Sequence, residues 1–416
     1  MQGFVEFLTE GSAKNLHLEH LEDEILNTGF EGGRSAINFL RSLRDMLAGK
    51  TSSKVDVTVK WDGAPAIFCG IDPEDGQFFV GTKAVFSKTA KLIKHEGDLD
   101  YYGISGGLAS KLRIALRELS SLGITNVLQG DMMFTREDIQ NTTIDGEKYI
   151  TFQPNTIVYA IPENSELAEK MLISNIGIVF HTTYEGSSLP DMNASFGADV
   201  SGLRKTSNVW YQSAEYPDKS GSITMTSKET DIVTKLLSNA GKMFHKIDSG
   251  KYKIFMNQEL AYPSNAIGSK LKTFYNSKIR SGKIVKNPNS HISQYIQYFD
   301  KFWEDKVIGK VKREESKRMK RNQNDQYLDT IVSTRKTLES VISFQGFLVE
   351  AKNLIVDKLN KGAKADTGTF IRTKNGYKVV NPEGFVAIDK DGSAVKLVDR
   401  LEFSFNNFNV EKTWDK

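Results

Sequence analysis

Residues 55–63 read Val55-Asp56-Val57-Thr58-Val59-Lys60-Trp61-Asp62-Gly63. Val55, Val57 and Val59 alternate with polar residues, the two-residue period of a half-buried strand. The strand ends on Lys60, and a carboxylate and a glycine follow within three residues. A lysine nucleophile must be held rigidly, partly desolvated and near other cations, so that its pKa falls from about 10.4 toward neutrality. The end of a buried strand offers that setting. Gly63 permits a tight turn and a close approach of phosphate to the backbone. Taken alone, this four-residue Lys-x-Asp-Gly pattern reads first as a strand-end lysine beside a surface turn.

Working outward, Ala66–Ile71 is a second apolar run, Asp72-Pro73-Glu74-Asp75-Gly76 is turn chemistry, and 77–80 is a return strand. Residues 54–86 therefore read as a three-stranded antiparallel unit. Upstream, residues 12–50 read as helical, with Gly29 to Arg34 as a break that lacks the ending of a phosphate-binding loop. Downstream come a helix over Leu108–Leu122 and short strands near 126–130, 149–153, 156–161 and 176–181. Residues 225–360 read as mostly helical, with long helices at Glu229–Ile247, Ile292–Arg321 and Leu328–Leu359. Two hairpins close the chain, 369–380 around Lys374-Asn375-Gly376 and 385–398 around Asp389-Lys390-Asp391-Gly392. The fold class is α+β. The divisions are a helical segment at 1–50, a core at 51–222, a helical insertion at 223–362, and returning core strands at 363–416.

The chain has 416 residues, long enough for more than one folded unit. Its single cysteine, Cys69, excludes an intramolecular disulfide and reads as a small core residue. Six scattered histidines argue against a histidine-rich metal site. His17 and His20 read as a helix face, and His181 as a satisfied, half-buried residue, with catalysis as the lesser alternative. No run approaches the roughly 18 apolar residues of a membrane span, and the first residues do not form a secretory signal. The expectation is a cytoplasmic protein with no membrane partner. The net charge of +3 conceals a division: residues 1–220 sum to −10, residues 221–360 to +11 and residues 361–416 to +2.

The companions of Lys60 give the motif its meaning. Gln129-Gly130-Asp131 ends a later strand. Pro382-Glu383-Gly384-Phe385-Val386 opens another, and Val395-Lys396-Leu397-Val398 lies on its return. In this order and at these strand positions, the set resembles the covalent nucleotidyltransferase superfamily of ATP-dependent RNA and DNA ligases and mRNA capping enzymes. The resemblance implies an antiparallel-sheet nucleotidyltransferase core of the ligase type, split by a large helical insertion. It implies ATP and Mg2+ or Mn2+ as requirements. Lys60 would be the nucleophile that takes the nucleotide, Lys396 an α-phosphate contact and Glu383 the carboxylate near the metal. Val59, Asp62 and Gly63 would surround the nucleotide with Asp131 on the ribose. Tyr159 would stack on the base, with Phe152 as the alternative, and Lys83 in Gly81-Thr82-Lys83 would be a further phosphate contact.

The chemistry is coherent on its own terms. Attack at an α-phosphate builds negative charge on non-bridging oxygens, which fixed cations and a carboxylate-held metal stabilise. Three positions depart from the superfamily pattern. Asp131 stands where Glu is usual, and Val398 replaces a second lysine. Pro65 stands where DNA ligases usually carry Arg, which favours the RNA-ligase branch. The whole chain also resembles an uncharacterised tailed-bacteriophage family through the strings NLHLEHLEDEIL, VKWDGAPAIF, GTKAVF and LQGD.

The leading expectation is thus an ATP-dependent, RNA-ligase-like enzyme that joins 5′-phosphate to 3′-hydroxyl ends. The alternatives are a capping-type guanylyltransferase or AMP transferase, and a catalytically degenerate nucleic-acid-binding or structural protein. Lys306–Arg321 holds eight basic and two acidic residues, among them Lys312, Arg313, Lys317, Arg318, Lys320 and Arg321. Tyr252, Tyr275, Tyr295, Tyr298, Phe302 and Trp303 are interleaved with cations nearby. Such a segment can be a solvated helix face. Together with the aromatics it reads as a surface for RNA or for single-stranded or nicked ends.

Overall fold

The computed structural model describes residues 19–49, 55–215, 224–256, 266–362, 368–373, 376–381, 383–389 and 394–409. The fold is α+β. Its described strands are β1 (Val55–Lys60), β2 (Ala66–Ile71), β3 (Phe78–Gly81), β4 (Val127–Thr135), β5 (Gln140–Ile144), β6 (Glu147–Phe152), β7 (Val158–Pro162), β8 (Ile176–Glu185), β9 (Asn193–Phe196), β10 (Val209–Ser213), β11 (Gly368–Thr373), β12 (Gly376–Val379), β13 (Gly384–Asp389) and β14 (Ala394–Leu397). They form three sheets, ordered β1-β13-β14, β10-β8-β4-β2-β3 with β9 also on β8, and β12-β11-β7-β6-β5.

This arrangement corrects the three-stranded unit expected at 54–86. β2 and β3 do pair antiparallel, but β1 pairs with β13, with Lys60 opposite Gly384. The chain leaves one sheet at Lys60 and enters the next at Ala66, so the Lys60–Gly63 motif is a crossover between sheets. Each C-terminal hairpin completes a different sheet: β11 joins β7, and β13 joins β1. Their turn residues, 374–375 and 390–393, fall outside the described residues, as does Pro382. Pairing is antiparallel except at one edge, where β10 runs parallel to β8.

The longer helices are α1 (Phe30–Leu47), α2 (Gly106–Leu119), α3 (Ser227–Lys246), α4 (Ile267–Arg280), α5 (Pro288–Trp303), α6 (Glu314–Ser333), α7 (Arg335–Gly362) and α8 (Arg400–Asn409). The expected break at Gly29–Arg34 is confined to Gly29, with φ +70°; Gly32 and Gly33 lie inside α1. The expected helix Ile292–Arg321 is two helices. α5 starts at Pro288, where a missing N–H costs nothing, under an Asn287 cap. It ends in a π turn at Glu304–Ile308, and α6 begins only at Glu314. The expected helix from Leu328 is likewise divided at Thr334, between α6 and α7.

The helices do not form a detached insertion. α1, α3, α4, α5 and α7 share one core with Phe385, Ala387 and Leu397 of the β1-β13-β14 sheet. Helix α2 covers the six-stranded sheet, burying Leu112, Ala115 and Leu119 against Ile67, Cys69, Leu128 and Phe180. Where the six- and five-stranded sheets meet, Phe134, Phe152, Tyr159 and Val179 pack with Trp61 and Trp210 at the margin.

Buried charge ties the helical body to both chain ends. Glu22 and Lys352 are fully buried and paired at 2.8 Å; Arg400 reaches Asp23 at 3.0 Å and Glu22 at 3.4 Å. Gln345 donates to the Glu22 carbonyl at 3.1 Å. Beside this network, the Lys396 N–H donates to the Glu19 carbonyl at 3.2 Å, so Glu19 and His20 are stitched to β14.

Candidate active site

Five residues from distant parts of the chain converge at the crossover after β1. Lys60 Nζ is ion-paired with Glu383 Oε2. Asp131 and Asp62 are near enough to favour the charged form of Lys60, and Lys60 in turn acts on Lys396. The pairing of β13 with both β1 and β14 explains this. Lys60 faces Gly384, the neighbour of Glu383, and Lys396 faces Val386 on the other side of β13.

Burial penalises the charges of Lys60, Glu383 and Lys396. It pushes the Glu383 carboxyl up to about 7 against the opposing pull of Lys60. Burial is the largest influence on Lys60 and lowers it, but Glu383, together with Asp131 and Asp62, outweighs it and holds the ammonium above its ordinary value. Lys396, without such a partner, is lowered by burial and then by the Lys60 charge. The arrangement keeps Lys60 protonated while Glu383 is beside it.

Asp62 plays a different part from the expected nucleotide contact. Its carboxylate is 5 % exposed. It accepts from Asn155 Nδ2 at 2.6 Å and from the Thr156 and Ile157 backbone N–H groups at 2.8 Å each. Asp62 thus binds the turn before β7 and fixes the crossover. Gly63 is required by contact: a Cβ there would lie 2.5 Å from Asp131 Cβ and 3.1 Å from the Met132 carbonyl oxygen. The glycine lets the crossover lie directly against Asp131.

The aromatic expectations are corrected. Tyr159 is 2 % exposed and stacks with both Trp61 (5.3 Å between centroids) and Phe152 (5.5 Å). Its hydroxyl accepts from the Asp62 N–H at 2.8 Å. Tyr159 is therefore a core residue that braces the crossover and is not a free platform for a base. Phe152, also 2 % exposed, lines a neighbouring cleft of about 590 Å³ with Pro65, Lys111 and Arg372. The Val59 N–H is engaged by the Ala214 carbonyl at 2.7 Å, and its side chain packs against the helical core. Lys83 is exposed, one strand away from Asp131 beyond the end of β3.

The helical aromatics are corrected too. Tyr252, Tyr275, Tyr295 and Trp303 are buried in the helical core, and Tyr298 and Phe302 pack against it. Most are core residues rather than a surface platform, although half-buried Phe302 carries Lys270 Nζ 3.9 Å from its ring centroid. Of the basic residues, Lys312, Arg313, Arg318 and Arg321 are exposed. Lys317 pairs with Glu314 at 2.6 Å, Arg321 with Glu304 at 3.4 Å, and Lys320 donates to Gln323 at 3.1 Å.

One family model matches residues 15–412. The chain belongs to the DUF6267 family. Its description is a family of unknown function. No curated protein and no solved structure matches the chain. Among the described residues of this DUF6267 member, no three His, Cys, Asp or Glu side chains are gathered as a preformed metal site. No helix among them is long and apolar enough to cross a membrane. Sequence reasoning passed over two contributors. Asn155 gave no signal, being one polar residue in a turn. His181, read as a bystander, lies with its Nε2 3.8 Å from Asp131 Oδ2.

Proposed function

We propose that this protein is a covalent nucleotidyltransferase in which Lys60 takes AMP from ATP and passes it on, in the manner of an RNA-ligase-like polynucleotide ligase. The observation that carries the reading is the convergence of Lys60, Asp131 and Lys396 from three strands, and of Glu383 from just before a fourth, onto one crossover. Lys60 starts as an ammonium held by Glu383. Withdrawal of Glu383 removes the main group that raises the amine, leaving burial to lower it against the weaker pull of Asp131 and Asp62, and the proton passes to solvent. The free Nζ pair attacks the α-phosphorus, a P–N bond forms, and the P–O bond to pyrophosphate breaks. Lys396 offsets the charge that builds on the non-bridging oxygens. A 5′-phosphate oxygen then attacks the same phosphorus and Lys60 leaves, regaining a proton. A 3′-hydroxyl finally displaces AMP.

A divalent cation fits the donor set in the usual Mg2+ style, with one or two carboxylates and the rest from substrate phosphates and water. Glu383 would hold it, and it would supply charge neutralisation at the phosphates.

The test is incubation with α-labelled ATP and Mg2+ or Mn2+. The expected result is a covalent adduct that is absent in Lys60→Ala. Failure to label with ATP, GTP or NAD, or an adduct that persists in Lys60→Ala, would overturn the reading. The burial of the helical aromatics favours a second reading, transfer to an acceptor other than a nucleic-acid end. It predicts the adduct without sealing of nicked or single-stranded RNA.

A further inference from the structure

The pairing of β4 with β8 slips twice, the first time between Gln129 and Gly130. Gln129 faces Thr182 and Gly130 faces Phe180, so His181 is the extra residue of a β-bulge. Bulges re-aim side chains and concentrate next to functional sites. This one is pinned, because the His181 carbonyl accepts from the Gly197 N–H at 2.8 Å. The ring is pinned as well, with Nδ1 2.8 Å from the Thr182 hydroxyl. A donating Thr182 leaves Nδ1 as acceptor and puts the ring proton on Nε2, toward Asp131.

The separation of 3.8 Å between His181 Nε2 and Asp131 Oδ2 is too long for a hydrogen bond. It suits a bridging oxygen about 2.8 Å from each atom. That oxygen must donate to the carboxylate and accept from the imidazole N–H, which is the bonding pattern of a hydroxyl. Both side chains remain open to a ligand, at 27 % and 23 % exposure.

We propose that His181 and Asp131 together read a ligand hydroxyl beside Lys60, so that the site selects a nucleotide with its ribose hydroxyls over a deoxy analogue. This rests on the nucleotidyltransferase reading and adds a specificity residue to it. His181 would also supply the reach that Asp131, one methylene shorter than Glu, lacks.

The experiment measures ATP, 2′-deoxyATP and 3′-deoxyATP on the full chain, by equilibrium binding and by covalent labelling, in wild type, His181→Ala and His181→Gln. The wild type is expected to favour ATP over at least one deoxy analogue by about tenfold, the scale of one hydrogen bond to a charged group. That ratio should fall to near one in His181→Ala and partly return in His181→Gln, which keeps an N–H donor. A loss of folding would weaken all three ligands alike and leave the ratio unchanged. If ATP labels Lys60 but the ratio is near one in wild type or survives in His181→Ala, the hydroxyl reader is wrong and the transferase reading stands. If binding shows the His181-dependent preference and no label ever forms, the transferase reading is wrong and the reader stands. Absence of binding and labelling removes both.

Discussion

Lys60 Nζ is ion-paired with Glu383 Oε2 across 323 positions of sequence. The contact is made because β1 and β13 are antiparallel neighbours whose ends coincide at the crossover. Half-buried Lys60 and nearly buried Glu383 thereby fix each other's charge, with Lys60 held as an ammonium.

Replacing Glu383 should therefore make Lys60 more reactive as an amine. In Glu383→Gln the main group that raises Lys60 is gone, while burial still lowers the amine and Asp131 and Asp62 keep only a weaker upward pull. The pH dependence of Lys60 acylation by an amine reagent, followed by peptide mass spectrometry, should move to lower pH than in wild type. An unchanged profile would show that Glu383 does not hold the proton on Lys60.

Asp62→Ala should separate structure from chemistry. It removes the acceptor of two backbone N–H groups and of Asn155 in a buried turn. The cost should be about 2–4 kcal/mol, since hydrogen bonds to a charged group are lost and buried donors are orphaned. Urea unfolding should show that loss, whereas Lys60→Ala should abolish the adduct with a far smaller change in midpoint.

Tyr159→Phe keeps the stacked ring and deletes only the hydroxyl that accepts from the Asp62 N–H. A destabilisation of about 1 kcal/mol is expected. Nucleotide affinity should change little, contrary to what a base-stacking tyrosine with a free face would show on Tyr159→Ala.

Lys352→Met should be among the most damaging single changes. It leaves Glu22, fully buried, with only the Arg400 contact at 3.4 Å, and breaking a buried pair costs about 3–5 kcal/mol. The double variant Glu22→Gln/Lys352→Met should recover much of the loss in a thermal melt. If the single change is neutral, the pair does not tie the N-terminal segment to α7.

His20 gives the acid limb a specific contribution. Burial lowers its pKa from 6.5 to about 3. A group depressed on folding takes up its proton in the unfolded chain first, so its contribution is complete above pH 6.5 and is lost as pH falls toward 3. The stability difference between wild type and His20→Asn should fall by about 1.4 kcal/mol per pH unit in that window and stay flat above it. Asp23, raised by burial to about 6, changes in the opposite sense between pH 3.8 and 6 in both proteins and cancels from the difference.

The sequence by itself determined the local elements and the parts list. Alternation at Val55, Val57 and Val59 marked a strand, turn residues marked the hairpins, and the order Lys60, Asp131, Glu383, Lys396 marked the residues that converge. These are short-range signals, written in periods of two and 3.6 and in residues that only turns favour. Only the tertiary structure decided which sheet each strand joined, because strand pairing is made between segments hundreds of residues apart and leaves no local trace. It sent β1 to β13 instead of β2 and turned the Lys60 motif into a crossover. It also decided burial, and with it role. Tyr159 and Tyr295 carry the same side chain as a surface stacking platform, but packing on all sides makes them core. The bulge that aims His181 at Asp131 is a register slip of one residue, a property of two strands together that neither strand's sequence contains.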